Sequence, residues 1–438
     1  MTLGTRYSTL GTAVEMTRPL WTAAILPFFL FGEGRYIPLG LAVLLALWIV
    51  AGVGTGNWWR RSGIDVCLAV FLLMLPVTLA ITPFPDLTRE HLGYFLAEMA
   101  CFASTATWAN TERRLTLVAW GLVGAGCLAA LSAPFIMEQT GRLFSAPSPG
   151  NPLALSETIQ KNVMGGMLVM ILPVALGLLA GAWGDDHRRG ARAGALAATV
   201  LIAAGIAFTQ SRGSYIAGLV AILILLSMRP NLLPIGRQSA VGSRQSAVSA
   251  YRLLAPALCL LLTALSLWAA LSGQLDLLTS KFLQADTAGD LVIRGEIWSR
   301  AAQALHDYPL TGVGLGAFRS VIPTLYPYVL SDPARVHHAH NLYLQTGADL
   351  GVPGMASFLA LVISLAVFAF AAHRRWTAAA NPTMTWLTAG CLAALVAMLA
   401  HGFLDAVTWG TKPAFLAWSV LGLLLASALT ARRPARSS

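Results

Sequence analysis

Residues His337-His-Ala-His-Asn341 lie where a long polar stretch gives way to an apolar run, and a group able to carry a proton at such a boundary points to chemistry. His338 and His340 are two residues apart, so they cannot share a face of one helix, and His340 falls near the expected start of a helix. Three roles are open to them. Metal ligation is disfavoured because zinc sites more often place ligands at i, i+3 or i, i+4 on a helix or add Cys and Asp ligands, and no HExxH or similar pattern is present. Hydrogen bonding at a helix cap is a second role. Proton transfer is the third, since an imidazole with an ordinary pKa of ~6.5 suits removal of a proton from a sugar hydroxyl. Arg212 forms a second focus, in the tight Gln210-Ser-Arg-Gly213 turn between two apolar runs. Its planar fork suits two-point binding of a phosphate, either a phospholipid headgroup or a lipid-linked diphosphate. Arg294 has the same options and stands one helical turn from Trp298.

These residues are positioned by apolar runs of the length that crosses a bilayer, about 20 residues. Such runs occur at 19–35, 37–54, 64–82, 92–109, 115–135, 163–183, 194–210, 214–228, 253–272, 354–372, 384–402 and 413–430. The expected fold is an all-α polytopic membrane protein of about 12 transmembrane helices: residues 1–272 supply nine, 339–430 supply three, and 431–438 form a tail. Between these groups, 273–338 is a single large loop. Within it, Leu291–Leu305 has helical apolar spacing, with Ile293, Ile297 and Ala301 on one face, which predicts an amphipathic helix at the membrane surface.

Alternate connections carry Arg60 and Arg61, Arg113 and Arg114, Arg188, Arg189 and Arg192, then Arg229, Arg237, Arg244 and Arg252, then Arg374 and Arg375, and finally Arg432, Arg433 and Arg436. Arg6 and Arg18 fall on the same side. Arginines flanking short loops remain preferentially cytoplasmic, so both termini are expected there. The 136–162 loop, the Arg212 turn, the large loop and the histidines then share the opposite face. The connection at 229–252 contains a near-duplicate, Arg237-Gln-Ser-Ala-Val followed by Arg244-Gln-Ser-Ala-Val, and reads as a flexible linker.

Of the 438 residues, 56% are hydrophobic and 11% charged, which excludes an ordinary water-soluble domain. The net charge of +10 is spread in small groups between apolar runs rather than gathered into a patch with aromatics, so no nucleic-acid partner is expected. Cys67, Cys101, Cys127, Cys259 and Cys391 lie in or beside apolar runs without ligand spacing. No cleavable signal peptide is expected, because the first dozen residues are polar. Asp65, beside Arg60 and Arg61, reads as an interface charge, and Glu98 as an isolated interior carboxylate with an open role. His401, Asp405 and Lys412 stand at the outward ends of the last two runs, where they either line the same site or mark the membrane boundary.

The spacing His340-Asn341-x9-Gly351-x-x-Gly354 resembles the His-(Asn/Ser/Gln)-x9-Gly-x-x-(Gly/Thr/Tyr) pattern of the O-antigen ligases and fits it at every fixed position. Thr209-Gln-Ser-Arg-Gly-Ser214 is similar to the Ser-Arg-Gly turn of the wider ligase and polymerase superfamily. The stretch from Arg294 to Phe318, with Trp298, Pro309 and Gly312-Val-Gly-Leu-Gly316, resembles the loop preceding that superfamily's motif histidine. The resemblance covers roughly residues 160–355. It implies a bacterial inner-membrane glycosyltransferase of lipopolysaccharide biosynthesis with its active site on the periplasmic face. The implied reaction moves a glycan from undecaprenyl diphosphate to a sugar hydroxyl of lipid A-core. It further implies His340 as base, His338 beside it, and Arg212 and Arg294 on the diphosphate, with Asn341, Gly351 and Gly354 as supporting motif positions. No motif requires a metal, nucleotide or other cofactor. The same superfamily includes O-antigen polymerases and protein O-oligosaccharyltransferases. A transporter of lipid-linked sugar is the alternative from another class, and it predicts functional charges on both sides of the membrane.

Overall fold

The structure, a computed structural model, describes residues 3–25, 28, 35–56, 58–137, 159–183, 185–228, 286–333 and 336–432. Among these residues the regular structure is helical. The helices are α1 (Leu3–Met16), α2 (Arg18–Ile25), α3 (Ile37–Thr55), α4 (Asp65–Ile81), α5 (Pro85–Trp108), α6 (Glu112–Ile136) and α7 (Lys161–Gly181). They are followed by α8 (Arg189–Thr209), α9 (Arg212–Ser227), α10 (Asp286–Asp307), α11 (Phe318–Leu325), α12 (Leu342–Ala378), α13 (Pro382–Gly402) and α14 (Phe415–Thr430). Seven are long and apolar enough to cross a membrane: α3, α6, α7, α8, α12, α13 and α14, the last counted from Lys412. Helices α4 and α9 are apolar but shorter. The chain is an all-α, multi-pass membrane protein. The expected span at 253–272 and the duplicated linker at 229–252 lie wholly outside the described residues.

Burial sorts the spans into a centre and a rim. The most apolar window of α7 is 89% buried, against 22% for α3. Close approach at the centre depends on small residues: a Cβ on Gly177 of α7 would stand 2.6 Å from the carbonyl oxygen of Trp386, and one on Gly390 of α13 would stand 2.5 Å from that of Pro173. In lipid, where apolar contact alone does not draw helices together, such backbone proximity supplies the dispersion energy of association. Helix α14 meets α5 in the same way, with Gly422 against the backbone of Phe102.

Helix α12 positions the site. At about 1.5 Å per residue, its 37 residues would overrun a bilayer if straight. Gly351 breaks it with φ 69° and ψ −173°, a conformation open essentially to glycine alone, and Pro353 follows. The Pro309–Thr311 segment enters the break, where the Val352 amide donates to the Pro309 carbonyl at 2.7 Å. The part beyond the break contains the expected 354–372 span. The part before it, Leu342–Leu350, is a buried platform for the histidines.

The expected span at 19–35 lies partly outside the described residues; α1 precedes it, and α2 covers Arg18–Ile25. Two expectations are corrected. Arg18, read as a topological charge, is fully buried between Glu15 and the face of the Trp48 ring. The amphipathic helix is present within α10, but Ile297 and Ala301 pack with Val313, Phe318 and Ala348 while Ile293 remains 38% exposed. Its apolar face is covered by protein rather than by the membrane surface.

Replacing Gly351 by Ala would bring a Cβ to 2.7 Å from the Pro309 and Thr311 backbone. Gly351→Ala is expected to lower stability by about 1–3 kcal/mol, whereas Gly121→Ala on α6, with nothing within 4 Å, is expected to be neutral or slightly stabilising. Thermal unfolding of the two variants in detergent measures the contrast.

Candidate active site

Asn341 caps α12, its Oδ1 accepting the amides of Tyr343 and Leu344, each at 3.0 Å. The cap begins the helix just after the histidines and leaves them on a turn. Ala339, between them, is buried, and its amide donates to Gln345 Oε1 at 2.7 Å. His340 adopts φ 47°, a left-handed conformation seldom taken by a residue with a side chain. That backbone turns the two imidazoles toward each other, with ring centroids 4.2 Å apart.

The turn also selects a tautomer. The His340 amide donates to His338 Nδ1 at 3.1 Å, so that nitrogen is an acceptor and a neutral His338 carries its proton on Nε2. Nε2 lies 3.5 Å from Asp405 Oδ1, and His340 Nδ1 lies 3.7 Å from the same oxygen. The second distance exceeds a hydrogen bond, but it directs Nδ1 of His340 toward a carboxylate. His340 Nδ1 is buried, so the 21% exposure of that side chain belongs to its other atoms. His338 thus has its Nδ1 lone pair occupied by the main chain.

Asp405 belongs to a turn that follows α13, and the other candidates meet there. Arg294 donates from Nη1 to the Leu404 carbonyl, and Asn341 Nδ2 donates to the Phe403 carbonyl at 3.3 Å. At the start of α9, a Cβ on Gly213 would lie 3.4 Å from the Leu404 side chain and 3.6 Å from His401, so Arg212 is brought to the same turn by its neighbour. On α7, Gly166 leaves room for the His401 ring, and Asn162 accepts from the Ser211 hydroxyl at 2.9 Å. Ser211 in turn caps α9 through the Ser214 amide.

Burial pulls the Asp405 carboxyl upward, but His338, His340 and His401 outweigh it and hold the group well below the usual carboxylate range. Its Oδ1 also accepts the Ala406 amide at 2.8 Å. Burial lowers the His338 pKa to about 4, with His340, His337 and Arg294 adding to the fall and Asp405 opposing it. At neutral pH the pair is therefore a carboxylate facing a neutral imidazole. Ligand atoms of His338, His340 and Asp405 lie within 4.8 Å of one another, close enough to surround a cation. The donor set fits one poorly: the His338 nitrogen facing Asp405 bears the proton fixed by the His340 amide, and ligation would cost that hydrogen bond.

His337 is exposed, and Lys412 opens the last span. Asp65 accepts from Trp59 and Ser62 at the start of α4. Glu98 is buried against the Trp418 indole and the Gly410 and Thr411 amides, beneath the segment that carries Asp405. Sequence alone leaves Asp405 and His401 undecided between site and boundary; in the structure Asp405 faces both histidines, and His401 lies beside Asp405 and against Gly166 and Gly213.

A family model described as O-Antigen ligase matches residues 197–359. This match, over a little more than a third of the chain, supports membership of the O-antigen ligase-type superfamily. A search of curated proteins finds no match. Members of this superfamily are glycosyltransferase-like enzymes acting on lipid-linked glycans. The matched stretch runs from α8 to just beyond the break in α12. It contains Arg212, Arg294, His338, His340, Asn341, Gly351 and Gly354, and stops short of Asp405.

For His338, the folded pKa of about 4 lies below the unfolded value of ~6.5. The unfolded chain therefore binds more protons between these values, and stability is complete above the upper one and lost as pH falls toward the lower. The thermal midpoint in detergent is expected to drop between pH 7 and pH 4.5, and to drop less in His338→Asn, whose side-chain oxygen still accepts the His340 amide. Equal drops would show that His338 titrates normally.

Proposed function

We propose that this protein is an O-antigen ligase, transferring a glycan from undecaprenyl diphosphate to a sugar hydroxyl of lipid A-core on the periplasmic face of the bacterial inner membrane, with both termini cytoplasmic. The observation that carries this reading is the meeting of His340, Asp405 and Arg294 at the turn after α13, with the Arg212 turn beside it. The donor arrives activated, so the reaction needs a base for the acceptor and positive charge for the leaving group. His340 Nε2 takes the proton of the acceptor hydroxyl. The resulting oxygen attacks the anomeric carbon as its bond to phosphate breaks, and the electron pair leaves with undecaprenyl diphosphate, inverting the configuration. Asp405 supports the imidazolium formed on His340. Arg212 and Arg294 receive the diphosphate, their forks matching its oxygens.

Purified protein supplied with carrier-linked O-antigen and lipid A-core is expected to yield capped lipopolysaccharide. Chain lengthening on the carrier without transfer to core would reject the ligase in favour of a polymerase, and transfer to a protein acceptor would make it a protein O-oligosaccharyltransferase. His340→Ala is expected to lower transfer by about 10²–10⁴-fold at equal protein level, and normal transfer in that variant would remove the base role. Arg212→Lys and Arg294→Lys are each expected to weaken donor use, because a point charge does not reproduce a two-point fork; steady-state kinetics in donor concentration check this.

A further inference from the structure

Asp349 lies in the last turn of α12 before the Gly351 break and is 1% exposed. It touches neither histidine of the site, yet three segments meet on it. The Trp409 indole donates to Asp349 Oδ2 at 2.9 Å, tying down the connection that carries Asp405. The Gln345 side chain faces the same carboxyl group, and Gln345 accepts through Oε1 the amide of Ala339, the residue between His338 and His340. The Gly316 amide faces it from the glycine-rich loop, whose Val313 amide donates to the Ala348 carbonyl at 2.7 Å. A buried acid at this depth is costly unless its surroundings use it.

Trp409 gives this contact mechanical consequence. Its ring packs among Phe71, Phe95 and Phe358, with centroid separations of 5.4, 5.4 and 5.5 Å. Aromatic packing fixes the depth of the ring, and one hydrogen bond to Asp349 fixes its rotation. Four residues back along the chain, Asp405 faces His340. We propose that Asp349 is a positioning residue that sets the separation of Asp405 and His340, by joining the Trp409 side of the site to the Gln345–Ala339 side. The proposal rests on the reading of His340 as the base.

The experiment compares Asp349→Leu, Asp349→Asn and Trp409→Phe in the full-length protein, at matched membrane levels, with carrier-linked glycan as donor and lipid A-core as acceptor. Asp349→Leu is expected to lower kcat by about 10–10²-fold with donor KM within about twofold, as misplacement of a reacting group does. Trp409→Phe keeps the ring and removes the donor, and is expected to lower kcat by about fivefold. Asp349→Asn should recover most of the loss, because its amide oxygen still accepts from the indole. The Asp349→Leu, Trp409→Phe double variant should be no slower than Asp349→Leu alone. Unchanged kcat in both Asp349→Leu and Trp409→Phe overturns the proposal, as does a fall in kcat matched by an equal rise in donor KM. Should Asp349→Leu fail to accumulate, Trp409→Phe decides alone. His340→Ala run alongside separates the two readings: normal transfer there rejects the base, whereas lost transfer there with normal Trp409→Phe and Asp349→Leu rejects only the role of Asp349.

Discussion

The break in α12 at Gly351 is the constraint from which the rest of the architecture follows. A continuous helix of this length would carry its first turns far from the bundle, with their polar groups unsupported. By reversing φ at one glycine, the chain folds a short buried helix over the end of the span and opens a slot for the Pro309–Thr311 backbone. That slot fixes the large loop against the membrane helices, and the short helix presents its capped N-terminus, with the histidines before it, to the end of α13.

Around this platform the site is assembled from groups far apart in sequence. Asp405 approaches from α13, Arg294 from the loop helix, and Gly213 with Arg212 from the start of α9. One carboxylate is surrounded by three imidazoles, and two of their rings, those of His338 and His340, stand 4.2 Å apart. A low-dielectric boundary strengthens each of these interactions relative to water, which gives a modest number of charges a large influence.

Much of this was legible before any coordinates. Apolar runs of bilayer length mark the spans because lipid tolerates little else, and α3, α6, α7, α8, α13 and α14 coincide closely with them. The spacing from His340 to Gly351 was readable as a motif, and the structure supplies its physics: a cap at Asn341, a platform, and a break where only glycine fits. Helix α1 was missed because its sequence is polar for a span and its partners lie in α3. Arg18 was misread because a buried ion pair and a topological charge look alike in one dimension. Asp405 could be noticed but not assigned, since no periodicity links it to a histidine on another helix, and Asp349 lies before the 354–372 run with no spacing that links it to Trp409.

The hydrogen bond that fixes the His338 tautomer has its donor on the main chain, at His340. Side-chain substitution cannot delete a peptide N–H unless proline is introduced, and proline cannot take the positive φ found there. The division of labour between the two imidazoles is thus encoded in the path of the backbone rather than in a third side chain. Sequence drift around the pair can alter reactivity and affinity, while the protonation pattern persists for as long as the turn itself does.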